Sequence, residues 1–173
     1  MADIFLKDYD LKSLDDEQLF LKSAELLYFA YRDFIAWPDA VLQKYGFGRA
    51  HHRVLFFVNQ NPSMTVAELL EILNITKQSL SRVLSSLINK GYIIQDVGRE
   101  DRRQRLLNLT DKGITLLGEI TEHQKEQMLS ACKSAGIEAT DGFWKVLIEL
   151  INPENRDKIL NNIFANVYTS TLV

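Results

Sequence analysis

Cysteine is almost missing from the sequence, since Cys132 is the single cysteine among 173 residues. One thiol excludes an intramolecular disulfide and a zinc site built from cysteines, and it indicates a reducing compartment. The surrounding residues, SACKSAG, are more typical of an inert helix than of a redox sensor. We therefore expect a fold that depends on neither disulfides nor a cysteine-bound metal.

Long apolar runs are missing as well. No stretch approaches the roughly 18 to 20 apolar residues of a transmembrane helix. The first residues, MADIFLKDYDLKSLDDE, have neither the basic start nor the apolar centre of a secretory signal, so we expect a cytoplasmic protein without a membrane partner. With 46% hydrophobic and 25% charged residues, the chain can bury a core, as one domain or as a small domain with helical additions.

Motifs for catalysis or metal binding are also scarce. Adjacent residues on a helix point about 100° apart, so His51 and His52 cannot both bind one metal unaided. His123 and Glu126 share a helix face, but no HExxH or other complete ligand set is present. The sequence contains no P-loop, no dinucleotide-binding glycine pattern and no nucleophile elbow. It predicts no enzyme, no metal site and no cofactor.

The net charge of −3 argues against nucleic-acid binding when it is taken alone, but the charge is unevenly distributed. Between Thr76 and Lys112, eight Lys or Arg residues stand against four acids, a local balance of +4, which leaves −7 for the rest of the chain. Four of the nine arginines lie in the stretch GREDRRQRLLNLT, residues 98–110. A basic segment on an acidic body is typical of a surface that meets phosphate. A solvated charged face is the alternative.

Helical periodicity organises the first half of the chain. Apolar residues recur at helical spacing from Asp15 to Trp37, and Pro38 disfavours helix just before it, so we expect a long helix that ends there. A second helical run, RAHHRVLFFVNQ, ends at the turn Asn-Pro-Ser, residues 61–63. The next run, TVAELLEILNI, begins with Thr65 and Glu68 in the spacing of a capping box.

The segment TKQSLSRVLSSLINKG is the most informative part of the sequence. Leu80, Val83, Leu84, Leu87 and Ile88 fall at helical spacing and predict one buried stripe, worth roughly 1.5 to 3 kcal/mol for each large side chain. The remaining faces carry small polar and cationic residues and no acid, so they can approach a polyanion. A glycine at position 91 is typical of a helix that ends through a left-handed residue.

Two helices separated by three residues, Asn-Ile-Thr at 74–76, predict a helix-turn-helix, although this turn lacks the frequent glycine. The stretches YIIQDVG and RLLNLT then predict a β-hairpin with a charged tip. A helix-turn-helix followed at once by a hairpin is a winged helix, so we expect a mainly α fold with a small β-wing. Thr110 is expected to cap a long helix, and a last helical region spans about residues 140–167 with a break at Asn152-Pro153.

These residues resemble the MarR family of winged-helix transcriptional regulators, named for multiple antibiotic resistance. The similarity runs from GRAHHRVLFFV through DKG, and its sharpest part is Asp101-x-Arg103 followed by LLNLTDKG, which is similar to the D-x-R and L-T-x-K-G wing pattern of the family. Either half of the pattern alone is weak. Both together, at this distance after a helix-turn-helix, are specific.

The resemblance implies one MarR-like domain over 1–173, in which 46–111 form the DNA-binding lobe and 1–45 and 112–173 supply dimerisation helices. It implies a homodimer that grips consecutive major grooves of a pseudo-palindromic operator, as a repressor controlled by a small aromatic or anionic effector or by thiol oxidation. The chain lacks the cysteine near the N-terminus that the oxidation-sensing branch uses.

Two groups of residues are the candidate contacts to double-stranded DNA. On the second helix of the helix-turn-helix, Gln favours adenine and Arg favours guanine by bidentate hydrogen bonding. At the hairpin, Arg103 is predicted to enter the minor groove and Asp101 to orient an arginine, as the family pattern implies. The predicted contacts are Thr76, Lys77, Gln78, Ser79, Ser81, Arg82, Arg99, Asp101, Arg102, Arg103 and Arg105. Alternatively, the hairpin charges pair with one another, and the serines only allow close helix packing.

A candidate effector site combines aromatic walls with a cation for a carboxylate, and consists of Tyr28, Tyr31, Trp37, His52 and Arg53. The alternative is that these residues belong to an interface or a core. A different function is also open, because some winged helices bind only proteins. In that case the face from Lys77 to Asn89 would meet an acidic protein surface instead of DNA.

Overall fold

The structure, a computed structural model, describes residues 11–98 and 102–164. Within these residues the chain forms seven α-helices and a three-stranded sheet, after a short 3₁₀ turn at Leu11–Ser13. The helices are α1 Asp16–Lys44, α2 Arg49–Gln60, α3 Val66–Leu73, α4 Lys77–Asn89, α5 Asp111–Ala135, α6 Ile137–Leu150 and α7 Pro153–Phe164. The strands are β1 Met64–Thr65, β2 Ile93–Val97 and β3 Arg105–Leu109. The winged helix expected from the sequence is confirmed.

The chain divides into two units. The first, Ser13–Gln127, contains α1 to α4, the sheet and most of α5. The second consists of Met1–Lys12 and Met128–Val173 and contains the end of α5 with α6 and α7. None of the described helices is both long and apolar enough to cross a membrane.

The sequence predicts that helix α1 ends before Pro38. In the structure the helix continues to Lys44. Proline has no N–H to donate to the carbonyl four residues earlier, which here belongs to Phe34. Gln124 replaces that donor, since its Nε2 donates to the oxygen of Phe34 at 3.1 Å. Because Gln124 is a buried residue of α5, a distant side chain keeps the proline within the helix.

The sheet has the order β1-β3-β2, and both pairings are antiparallel. Strands β2 and β3 form the predicted hairpin, with Ile93 opposite Leu109 and Val97 opposite Arg105. Strand β1 was not predicted from the sequence. It follows Ser63, which has a left-handed φ of 65° and whose N–H donates to the oxygens of Leu107 and of the Asn108 side chain.

The hydrophobic core lies in the first unit and is built from α1 to α5 and all three strands. Leu42, Leu55, Leu69, Leu87 and Leu107 are completely buried. The predicted stripe of α4 is confirmed, with Leu80, Leu84 and Leu87 in the core and Val83 and Ile88 packed against it. The full core consists of Val41, Leu42, Phe47, Val54, Leu55, Val58, Met64, Leu69, Leu80, Leu84, Leu87, Tyr92, Ile93, Leu107, Leu116, Leu117 and Ile120.

The second unit is held by local contacts. Arg156 of α7 donates from Nη1 to a carboxylate oxygen of Glu149 at 2.8 Å and from Nη2 to the backbone oxygens of Glu149 and Ile151, so it caps the end of α6. The rings of Trp144 and Phe164 lie 6.3 Å apart. Neither α6 nor α7 contains a buried residue. The predicted break between these helices at Asn152-Pro153 is confirmed.

Candidate nucleic-acid interface

The helix-turn-helix is set by its caps. The Thr65 hydroxyl accepts from the N–H of Glu68, and the Glu68 carboxylate accepts from the N–H of Thr65 at 2.6 Å, so the predicted capping box is present. Asn74 then ends α3 with φ 47° and ψ 49°. Asparagine tolerates this left-handed conformation better than most residues, which explains how the turn works without glycine. Thr76 begins α4 two residues later.

Helix α4 is amphipathic in the way that a groove-binding helix requires. Its apolar stripe is fixed in the core, with Leu80 and Leu87 at most 1% exposed. The opposite side contains no acidic residue. The predicted contacts on this helix are all exposed to solvent, namely Thr76, Lys77, Gln78, Ser79, Ser81 and Arg82.

Two of these residues also have a structural role that the sequence analysis did not assign. The Thr76 hydroxyl accepts from the N–H of Ser79 at 3.2 Å and donates to the Ser79 hydroxyl at 2.9 Å. Thr76 is thus the N-cap of α4. In contrast, no hydrogen bond or ion pair within the described part of the chain occupies the charged ends of Lys77 and Arg82.

The described part of the wing presents three exposed arginines, Arg102, Arg103 and Arg105. Arg105 donates from Nη1 to the backbone oxygens of Arg102 and Gln104, at 2.8 and 3.2 Å, and so stiffens the return of the hairpin. The backbone N–H of Gly98, just after β2, donates to the backbone oxygen of Gln104, just before β3, and so joins the two arms of the hairpin next to its tip. Arg99 and Asp101, also predicted as contacts, lie outside the described residues, and with them the predicted pairing of Asp101.

Two cations of the basic segment lie near the end of α4. The charge count alone did not separate them from the other cations of that segment. Lys90 is the C-cap of α4, and Gly91 follows with φ 75°. The N–H of Tyr92 donates to Leu87 and that of Gly91 to Ile88, the two bonds of a Schellman motif. The predicted left-handed glycine is therefore confirmed. The ammonium groups of Lys90 and Lys112 both donate hydrogen bonds to backbone carbonyl oxygens near this motif.

The predicted effector residues take part in two sets of contacts. The Trp37 ring stacks on the ring of His123 with 5.0 Å between centroids. Tyr31, His52 and Arg53 instead lie around the ion pair of Arg49 and Asp39, in which Arg49 donates to both carboxylate oxygens at 2.8 to 3.2 Å.

The histidines and tyrosines of this region differ in burial. His52 is half-buried, and its Nε2 is buried without a hydrogen-bond partner in the described structure. Burial lowers the pKa of His52, Asp39 raises it, and Arg53 lowers it further. Tyr28 and Tyr31 are exposed on α1. The ion pair of Arg49 and Asp39 was missed because nothing in the sequence shows that α1 and α2 bring these two residues together.

Comparison with known proteins supports the same fold. The family model described as the MarR family matches residues 45–104. The chain is similar to the HTH-type transcriptional regulator PetP of Rhodobacter capsulatus, with 46% identity over 143 residues, which cover 83% of this chain and 86% of that protein.

Two solved structures with bound DNA are similar in fold. One is a mutant MarR from E. coli in complex with operator DNA, with a TM-score of 0.59 and 18% identity over 80% of this chain and all of that one. The other is an S. aureus MepR-DNA complex, with a TM-score of 0.58 and 19% identity over 74% of this chain and 95% of that one.

Proposed function

Because the chain belongs to the MarR family of transcriptional regulators, we propose that it binds a pseudo-palindromic operator in double-stranded DNA as a homodimer and represses transcription. The acid-free, exposed face of α4 beside an arginine-rich wing is the observation that carries the proposal. Its site of action is the cytoplasm. In this proposal, residues 46–111 form the DNA-binding lobe, and 1–45 and 112–173 supply the dimerisation helices.

The proposed contacts to DNA fall into two classes. Lys77, Gln78 and Arg82, in the first half of α4, reach base edges or nearby phosphates in the major groove. Arg103 enters the minor groove, where the negative potential is strongest, with Asp101 as its orienting partner. The other arginines of the wing contact phosphates. Thr76, Ser79 and Ser81 add hydrogen bonds to the backbone or to bases at the start of the helix.

Exposed apolar residues support the homodimer, and they occur in both units. On α1, Phe20 is 67% and Leu26 69% exposed, and on α6, Val146 is 60% and Leu150 66% exposed. Monomeric proteins rarely expose so many large apolar side chains together. A second copy of the chain is the partner we propose for both surfaces. Two-fold symmetry then places two α4 helices one helical turn of DNA apart, roughly 34 to 36 Å.

The effector in this proposal is a small aromatic anion. Tyr28, Tyr31 and Trp37 supply aromatic surface, Arg53 supplies a cation, and the unpartnered Nε2 of His52 supplies one polar contact. Such a ligand regulates only if it prefers one spacing of the two lobes over the other. Salicylate is a direct probe, because it should weaken operator binding in the unchanged protein and have less effect on Arg53→Ala.

The proposal is tested by selecting a binding site from random duplexes and measuring its affinity against salt concentration. Each neutralised phosphate adds about −0.9 to the slope of log K against log salt, so Arg103→Ala should weaken binding and flatten the slope. Lys125→Ala, which removes an exposed lysine from α5, is the matched control and should change neither. A chain that stays monomeric and ignores duplexes at low salt would contradict the proposal and favour a protein-binding module.

A further inference from the structure

Two of the eight cations in the basic segment, Lys90 and Lys112, are engaged at the end of α4. We propose that they are positioning residues, which fix the C-terminal end of α4 to the end of α1 and the start of α5 and contact no phosphate. This inference rests on the proposed DNA binding by α4. It divides the basic segment into cations that meet DNA and cations that orient the helix.

Lys90 joins the end of α4 to the end of α1. Its ammonium donates to the backbone oxygen of Tyr45 at 2.9 Å and lies 4.5 Å from the centroid of the Phe47 ring. Tyr45 is the C-cap of α1, so the positive charge sits at the negative end of that helix dipole. The aromatic face below it adds a cation–π contact.

Lys112 repeats this arrangement one helix further along. Its ammonium donates to the oxygen of Lys90 at 2.8 Å and lies 4.3 Å from the centroid of the Tyr92 ring. Lys90 is the C-cap of α4, so Lys112 places its charge at the negative end of the α4 dipole. The two lysines thus connect α5 to the end of α4, and the end of α4 to the end of α1.

Neighbouring contacts close this connection. The Tyr45 hydroxyl donates to the Glu119 carboxylate of α5 at 2.9 Å. The Thr110 hydroxyl donates to the oxygen of Gly91 at 2.8 Å, and a side chain at Gly113 would collide with the oxygen of Tyr92. Threonine, lysine and glycine of the L-T-x-K-G pattern therefore all contact the segment that ends α4. The pattern is explained by the placement of this helix.

The position of Lys90 along α4 agrees with this assignment. Lys90 lies 13 residues after Lys77, about 20 Å along a helix axis at 1.5 Å per residue. The proposed base contacts are all in the first half of the helix. A tilt at the C-terminal end of the helix therefore shifts the proposed contact residues relative to the DNA, although none of their side chains is removed.

Salt dependence separates the two roles. A cation that meets phosphate contributes about −0.9 to the salt slope, whereas a positioning residue changes affinity and leaves the slope as it was. We would measure affinity by fluorescence anisotropy across potassium chloride concentrations, with a duplex selected by the unchanged protein and with a random duplex. The variants are Lys90→Met and Lys112→Met, with Lys77→Met as the matched control.

The expected results differ by variant. Lys90→Met and Lys112→Met should weaken binding to the selected duplex roughly 2- to 30-fold, the usual range for residues that act without touching the ligand. Their salt slope should equal that of the unchanged protein. Their affinity for the random duplex should fall less than their affinity for the selected duplex. Lys77→Met should lose about 0.9 of slope on both duplexes. Lys90→Arg keeps a donor and a cation over Phe47 and should recover most of the affinity.

Circular dichroism and thermal unfolding show whether each variant is folded at the assay temperature. If Lys90→Met is unfolded, two other variants still test the proposal. Lys112→Met must keep the salt slope, and Lys90→Arg must keep the salt slope and most of the affinity. A slope reduced by about 0.9 in Lys90→Met or Lys112→Met, or an unchanged affinity, would overturn this inference alone. An unchanged protein that binds no duplex would overturn the proposed function itself.

Discussion

The first unit and the C-terminal helices α6 and α7 use apolar residues in opposite ways. All 17 residues of the hydrophobic core in the described chain lie between Val41 and Ile120, in the first unit. Helices α6 and α7 bury none, although Trp144, Val146 and Leu150 are large and apolar. The first unit therefore has a hydrophobic core, whereas the C-terminal helices have apolar surface that the described residues do not cover.

The largest effect should follow from a change in the core of the first unit. Leu87 of α4 is completely buried, so Leu87→Ala should lower the free energy of unfolding by about 2 to 5 kcal/mol. Chemical denaturation of the purified protein measures this change. A loss below about 0.5 kcal/mol, the usual range for surface substitutions, would show that α4 is not anchored as described.

The same deletion in α6 should act through association. Leu150 is 66% exposed, so Leu150→Ala removes few contacts within one chain. If a second copy covers α6, the dimer dissociation constant should rise by about fivefold or more, which corresponds to roughly 1 kcal/mol. Sedimentation equilibrium over a range of protein concentrations measures that constant. An unchanged constant would remove α6 from the proposed dimer interface.

An intermediate effect is expected at the proline of α1. Gln124→Leu leaves the partly buried oxygen of Phe34 without this donor, which should cost about 1 kcal/mol of unfolding free energy, near the lower end of the range for unsatisfied polar groups. Pro38→Ala in the same chain supplies a backbone N–H for that oxygen, so the double variant should regain most of the loss. Thermal and chemical unfolding of the two single variants and the double variant complete the cycle. Additive losses would show that Gln124 acts in some other way.

The smallest effect should be a dependence of stability on pH that comes from the histidines of the first unit. Burial lowers the pKa of His51 and His52 in the folded protein, and the second unit contains no histidine. The unfolded state therefore binds protons more readily, and the unfolding free energy should fall as pH drops below about 6.5, the ordinary value. Denaturation at a series of pH values should show this fall. His52→Gln should reduce it, and an identical fall in that variant would contradict the assignment.

The parts of the fold that local chemistry determines were predictable from the sequence. The bounds of α2, α3 and α4 followed from periodicity and from the predicted caps at Thr65 and Gly91, because the relevant partners are at most a few residues away. The hairpin was predictable for the same reason. The faces of α4 could be assigned because the apolar stripe and the acid-free surface are both properties of one helix.

The features that were missed depend on distant residues. Strand β1 has two residues and exists only because β3 pairs with it. Helix α1 passes Pro38 because Gln124, 90 residues after Phe34, supplies a hydrogen bond. Likewise, Lys90 counts as one more positive charge in the sequence. Only the fold shows that its ammonium donates to the backbone oxygen of Tyr45.

The division of charge has a kinetic consequence. The segment from Thr76 to Lys112 carries +4 and the rest of the chain −7, so α4 and the wing belong to a positive segment of a chain whose net charge is negative. At long range a duplex repels such a molecule as a whole, but it also turns the positive segment forward. If the chain binds DNA as proposed, wrong orientations are rejected before contact, and weak attachment to random sequence allows a rapid search of the genome.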